Sequence, residues 1–148
     1  MTPTNKVSVR VFAPAKINLA LHVTGQRHDG YHLLDTFVAF ADIGDAVTVS
    51  NDGPHVLTVS GPEAVPELSS DDNIMWHAAQ KFWTPDRHVS LALEKHLPMA
   101  SGIGGGSADA AATFRGLLLL RAVLEGREAP RDPTPQDARD LLEIGADV

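Results

Sequence analysis

Pro98-Met99-Ala100-Ser101-Gly102-Ile103-Gly104-Gly105-Gly106-Ser107-Ala108 decides how the rest of the chain is read. Four glycines fall within positions 102–106, and an apolar run from Ala108 to Leu124 follows at once. Glycine has no Cβ, so its backbone reaches positive φ and lets an anion approach the N–H groups closely. A helix N-terminus adds unpaired N–H donors and the positive end of the macrodipole. Together they predict a phosphate cradle. A plain turn needs only one or two glycines, and a flexible linker would not pass directly into a helix. Ser107 is the expected N-cap, although its hydroxyl could face a phosphate instead. The loop has no Gly-Lys-Ser/Thr ending and no G-x-G-x-x-G spacing, so it is neither a Walker A loop nor a dinucleotide fingerprint.

The flanking chain supplies the context such a cradle requires. Upstream, Val89, Leu91 and Leu93 alternate along a strand that leads into the loop. Before it, Asp72 is expected to cap a helix from Asn73 to about Trp83, stopped by Pro85. Met75, Ala78, Ala79 and Phe82 make its apolar stripe, and Trp76 and Trp83 are read with the core rather than as a cofactor box. Downstream, the long helix ends near Gly126. Thr134 and Asp137, with Pro135 between them, form a capping-box start for a last helix that reaches Ile144 and closes at Gly145.

The amino-terminal part reads as strands. Lys6–Phe12 alternates, with Val7, Val9 and Val11 on one face; Pro14 interrupts, and Lys16–Val23 forms a second strand. Ile17, Leu19, Leu21 and Val23 share one face of it, leaving Lys16, Asn18, Ala20 and His22 on the other. That second face suits a ligand, and a solvated face fits the pattern equally well. Gly25–Gly30 is a loop, and Tyr31-His32 follows at a strand edge, where a capping aromatic beside an exposed histidine is the plain alternative. Thr36–Phe40 is a strand and Asp42-Ile43-Gly44-Asp45 a turn. Ala46–Ser50 is expected to pair with Val56–Ser60 as a hairpin across Asn51-Asp52-Gly53-Pro54, and Gly61–Ser70 is loop.

At 148 residues the chain is one domain's worth, with 43% hydrophobic and 21% charged residues. Its formal net charge of -7, with no basic block to offset it, argues against nucleic-acid or membrane-surface binding. The absence of cysteine excludes disulfides and thiolate metal sites. The seven histidines are scattered without ligand spacing, which argues against a protein-built metal site. With no signal-peptide core at the start and no membrane-length apolar run, a cytoplasmic protein is expected.

Four stretches in order carry a resemblance. Pro14-Ala15-Lys16-Ile17-Asn18-Leu19, Gly30-Tyr31-His32-Leu33-Leu34, Leu97 through Ala111 and Gly145-Ala146-Asp147-Val148 resemble successive motifs of the 4-diphosphocytidyl-2-C-methyl-D-erythritol kinase branch of the GHMP kinases. The Gly-Gly-Gly-Ser form of the loop together with Gly-Tyr-His favours this branch over the mevalonate and homoserine kinases. Ile103 stands where leucine or methionine is usual. The resemblance implies an α+β fold, a mixed β-sheet packed with helices, of the GHMP-kinase amino-terminal domain type. It implies ATP-dependent phosphorylation of the 2-hydroxyl of a cytidine-diphosphate-linked methylerythritol in non-mevalonate isoprenoid synthesis, with Mg²⁺ carried by ATP and no protein ligands of the metal assigned.

By position, Lys16 and Asp147 match the catalytic pair, and Asn18 lies on the acceptor side. Tyr31 and His32 match residues that stack on and hydrogen-bond the cytosine, and Pro98–Ala108 matches the ATP phosphate site. Members of this branch continue for about another domain's length, about 100–150 residues. Because this chain ends one residue after Asp147, it resembles an amino-terminal half. On that reading residues 1–148 form an ATP-binding domain that alone binds nucleotide weakly at best, turns over no substrate and tends to self-associate. Two alternatives stay open: another small-molecule GHMP kinase, and a nucleotide-binding module without turnover.

Overall fold

The computed structural model describes residues 6–80, 88–129 and 134–144. Two 19-residue strands, β1 (Ser8–Gln26) and β2 (His32–Ser50), form a long antiparallel hairpin. They are followed by β3 (Leu57–Ser60), a 3₁₀ turn at Pro66–Ser69, α1 (Ile74–Gln80) and β4 (Ser90–Glu94). Two helices complete the order, α2 (Gly105–Leu124) and α3 (Pro135–Ile144). The sheet runs β1-β2-β4-β3, with β3 parallel to β4 and the other pairs antiparallel. It is the mixed sheet with helices that the sequence led us to expect.

Alternation explains the core. Val47 and Val49 of β2 and Leu91 and Leu93 of β4 point to one face. Met75, Trp76 and Ala79 of α1 and Ala112, Leu117 and Leu120 of α2 close over that face. Burying a side chain of this size stabilises the fold by about 1.5–3 kcal/mol, so this layer carries most of the packing energy.

Four local expectations are corrected. Pro14 does not end a strand: β1 runs through it, with Pro14 opposite Gly44 and the register shifting before Lys16 pairs with Phe40. Proline lacks the N–H that a regular ladder needs, and an irregularity absorbs it. The Asp42–Asp45 stretch is accordingly part of β2 rather than a turn, and residues 41–43 bulge opposite Ala15. Ala46–Ser50 does not pair with β3; β4 inserts between them, because the segment from β3 to β4 forms a crossover through α1. The cap of α1 is Asn73, whose Oδ1 accepts the Met75 N–H at 2.9 Å, in place of Asp72. The Thr134–Asp137 capping box is present, with reciprocal bonds of 2.7 and 3.2 Å. Phe82, Trp83, Pro85 and Gly145 lie outside the described residues.

Gly44 is where the two long strands come closest. A Cβ there would lie 2.2 Å from the Ala13 carbonyl oxygen and 2.7 Å from Pro14 Cα. Gly44→Val should therefore destabilise the fold by at least the 1–3 kcal/mol or so of ordinary overpacking. A melting curve beside that of Gly106→Val, where φ is not positive and an added Cβ would meet nothing within 4 Å, would measure the difference.

Candidate active site

The glycine loop does join a strand to a helix. β4 ends at Glu94, and α2 begins at Gly105 with Gly104 as its N-cap, at φ 72°. Ser107 is thus inside the first turn and not the cap, because the left-handed Gly104 closes the loop before Ser107 is reached. The first intrahelical bond is Ala108 N–H to Gly104 carbonyl, 2.8 Å. By helix geometry this leaves the amides of Gly105, Gly106 and Ser107 as the donors of the cradle. Gly102 also has positive φ, 73°, and so does Ala100, at 54°. Ala100 is the one non-glycine in that region among the described residues, and it sits in the cradle.

A cavity of about 510 Å³ opens against this loop. Its walls are residues 98–102 and 104–107, the 3₁₀ turn and the start of α1. Asn73 holds that far wall in place, its Nδ2 donating to the Leu68 carbonyl at 2.7 Å. The floor contains Lys95 and Asp109.

That floor is a buried ion cluster that reading the sequence missed. Lys95 Nζ donates to Asp45 Oδ2 at 2.5 Å and to Asp109 Oδ2 at 2.9 Å, and all three residues are at most 3% exposed. Asp45 Oδ1 accepts the backbone N–H groups of His96, 2.6 Å, and Leu97, 2.8 Å. Burial pulls the Lys95 ammonium towards neutrality, but its hydrogen bonds to Asp45 and Asp109 outweigh that and hold its pKa above the ordinary value. Burial pushes the Asp109 carboxyl up to about 7, against the lowering effect of Lys95. The cluster therefore ties β2, the entry of the glycine loop and the N-terminal part of α2 into one unit.

Signals for it were present in the sequence. Asp45 shares the buried face of β2 with Val47 and Val49, and Lys95 continues the buried row of Val89, Leu91 and Leu93. Asp109 is a lone acid between alanines. A charge on an apolar face calls for a partner, and these three are partners.

Lys16 meets the cradle from the other side. Its N–H donates to the Ile103 carbonyl at 2.9 Å, and a Cβ on Gly104 would touch Lys16 Cβ at 3.4 Å and Cε at 3.6 Å. Asn18 is two residues further along β1 and exposed; its Oδ1 lies 3.2 Å from Thr36 Oγ1. Tyr31 and His32 stand at the far end of the hairpin, Tyr31 61% exposed. The structure joins Lys16 to the loop by a hydrogen bond, while Tyr31 and His32 lie at the hairpin tip and do not line the cavity against the loop. The turn between the strands is ordered by Arg27 N–H to Tyr31 carbonyl, 2.7 Å, and by the Arg27–Asp29 ion pair, 2.8 Å. Asp147 lies outside the described residues. Among the described residues no group of three or more His, Asp or Glu side chains is placed to hold a metal ion.

Breaking a buried ion cluster by removing one partner costs about 3–5 kcal/mol, whereas an exposed pair is worth about 0–1 kcal/mol. Asp45→Ala should therefore lower stability in chemical denaturation by about 3–5 kcal/mol. Asp52→Ala, which removes the exposed Lys6–Asp52 pair, should change it by less than about 1 kcal/mol.

The chain and its fold are similar to those of known proteins. The model of the GHMP kinases N terminal domain matches residues 73–146, the segment that holds α1, β4, the cradle and α2. The 4-diphosphocytidyl-2-C-methyl-D-erythritol kinase of Ruegeria pomeroyi is 51% identical over 142 residues, covering 96% of this chain and 47% of that protein. The protein of the same name from Agrobacterium fabrum is 46% identical, covering 92% and 46%. A crystal structure of 4-(cytidine 5'-diphospho)-2C-methyl-D-erythritol kinase superposes with a TM-score of 0.64 at 31% identity, over 94% of this chain and 47% of the other. A phosphotransferase related to CoA biosynthesis, at TM-score 0.60 and 17% identity, shares the fold. The chain spans about half the length of the relatives it matches. On the domain match and the shared fold, the chain belongs to the GHMP kinase family.

Proposed function

We propose that this chain is the amino-terminal, ATP-binding domain of a kinase. The kinase phosphorylates the 2-hydroxyl of 4-(cytidine-5'-diphospho)-2-C-methyl-D-erythritol in isoprenoid synthesis in the cytoplasm. The observation that carries the reading is the cradle itself: three helix-terminal amides above an open cavity, with Lys16 docked on the loop. The fit to a nucleotide polyphosphate rests on Gly106, where an added Cβ would meet nothing within 4 Å, leaving the backbone open to an anion. ATP with its Mg²⁺ would supply the transferable phosphoryl group.

The protein's part in such a transfer is positioning and charge stabilisation. The amides of Gly105, Gly106 and Ser107 hold phosphate oxygens, as Pro98–Ala108 was read to do. Lys16 places a cation between the cradle and the acceptor side of β1, where Asn18 orients the hydroxyl. Asp147 accepts the hydroxyl proton. Tyr31 offers an exposed ring for a cytosine to stack on, with His32 beside it as a hydrogen-bonding partner.

The hairpin also leaves Leu19, Phe37, Phe40 and Ile43 at least 60% exposed. That is apolar surface of the kind that binds a partner, and it supports self-association of the 148-residue chain. Among the described residues no helix is long and apolar enough to cross a membrane.

The substrate assignment is tested in a full-length kinase carrying this domain. Tyr31→Ala should raise the KM for the cytidylyl substrate about fivefold or more and leave the KM for ATP within twofold. The scale is that of base stacking on an aromatic, about 1–3 kcal/mol in single-stranded nucleic-acid systems. Unchanged constants for both substrates would remove Tyr31 from the site and return the reading to a small-molecule GHMP kinase of another specificity.

A further inference from the structure

The cradle has an electrostatic difficulty. Its donors suit a polyanion, yet among the described residues the charged side chains lining the cavity are Glu67, Asp72 and Asp109 with the single cation Lys95. Lys95 is already shared between two carboxylates, so the buried cluster holds two acids and one ammonium. If all three are ionised, a net negative charge lies directly beneath the phosphates. Water cannot screen it, because the cluster is at most 3% exposed.

One atom offers a way out. Asp109 Oδ2 is occupied by Lys95, whereas Asp109 Oδ1 is buried and has no hydrogen-bond partner among the described residues. Asp45 has no such vacancy, since Oδ2 takes Lys95 and Oδ1 takes two backbone amides. A buried, unpartnered carboxylate oxygen is costly when charged and much less so when it carries a proton.

We propose that Asp109 is a proton-linked positioning residue: a polyphosphate bound in the cradle is held with Asp109 protonated, the proton being taken from solvent onto Oδ1 as the ligand enters. This rests on the nucleotide reading above. Protonation removes one negative charge from the floor and leaves Lys95 matched one to one with Asp45. The ammonium then stays beneath the first turn of α2, where a Cβ on Gly105 would lie 3.2 Å from Nζ. One O–H bond forms at Oδ1 and one bond to hydrogen breaks in the hydronium or buffer acid that gives up the proton; no other covalent bond changes.

The surroundings of Asp109 favour this state. The charges that act on it directly are Asp45, from β2, and Lys95, from the end of β4; Glu67 and Asp72 line the same cavity, and Lys16 lies against Gly104. His96 is turned away to the surface, 2.9 Å from Glu94. Without ligand, burial and the Asp45 charge already place the carboxyl at about 7, with Lys95 opposing them. A second anion nearby raises it further. The sign follows. Well below pH 7 Asp109 is protonated with or without ligand, and affinity does not depend on its titration. Above that point binding must take up a proton, so affinity falls as pH rises, by at most about tenfold per pH unit for one site.

The experiment titrates MgADP into a full-length kinase containing this domain and into its Asp109→Asn variant between pH 6 and 9. The ionisation of the nucleotide is common to both proteins and cancels in the ratio of affinities. We expect wild-type affinity to fall relative to the variant as pH rises through about 7, with calorimetry in buffers of different ionisation enthalpy showing excess proton uptake by the wild type. A ¹³C NMR titration of the Asp109 carboxyl in the wild type gives a readout that does not depend on the variant folding. The shift should titrate near neutrality and move upward with MgADP. Binding with the same pH dependence in both proteins, or a carboxyl that titrates near 4 with ligand bound, overturns this inference alone. Binding by neither protein at any pH overturns the nucleotide reading and this inference with it.

Discussion

The bond from Lys95 to Asp45 is the contact on which the arrangement depends. Three segments distant in sequence meet there: the second half of β2, the exit from β4 and the N-terminal part of α2. An isolated ammonium at this depth is prohibitively unfavourable, and even a buried pair recovers its desolvation only with good geometry. Here the geometry is supplied by two carboxylates and by the two amides that Asp45 also receives. The value of such a cluster lies less in net stability than in registration. It fixes where the glycine loop begins and where α2 begins, while the glycines between keep an open backbone.

Irregularity in the hairpin serves the same end. β1 is the edge of the sheet, so alternate N–H groups along it point away from β2. Just past the shift at Pro14 and Ala15, the Lys16 N–H reaches the Ile103 carbonyl and pins the middle of the loop to β1. Bulges beside active sites commonly re-aim a residue in this way. The cradle is thus held at its entry by Asp45, in its middle by Lys16 and at its exit through Asp109. Between those points Ala100 keeps a left-handed backbone that an alanine adopts only at a cost of about 1–2 kcal/mol.

How much of this was legible depends on the range of the signal. The loop between strand and helix, the core stripe of α1 and the Thr134–Asp137 box are local patterns, and each could be read from neighbouring residues. Pairing was not local. The Asn51–Pro54 stretch has the composition of a hairpin turn, yet the strands beside it do not pair, because the later β4 occupies the place between them. Asp42–Asp45 has the composition of a turn, yet it lies within β2, where Asp42 and Ile43 bulge opposite Ala15 while Gly44 and Asp45 pair with Pro14 and Ala13. Asp45, Lys95 and Asp109 were individually visible as charges on apolar faces. Their meeting across 50 and 14 residues of sequence needed the fold.

Native-state hydrogen exchange at the His96 and Leu97 amides measures most directly whether Asp45 anchors the loop. These amides lie beyond the end of β4, and their bonds to Asp45 Oδ1 are the contacts that fix the loop's entry. If the buried cluster holds the cradle, they exchange only by global unfolding, with protection equal to that of Leu91 in the central strand β4. Exchange at the rate of the exposed hairpin tip around Gly30, with Leu91 still protected, would show that the loop opens freely and that the cluster does not position it.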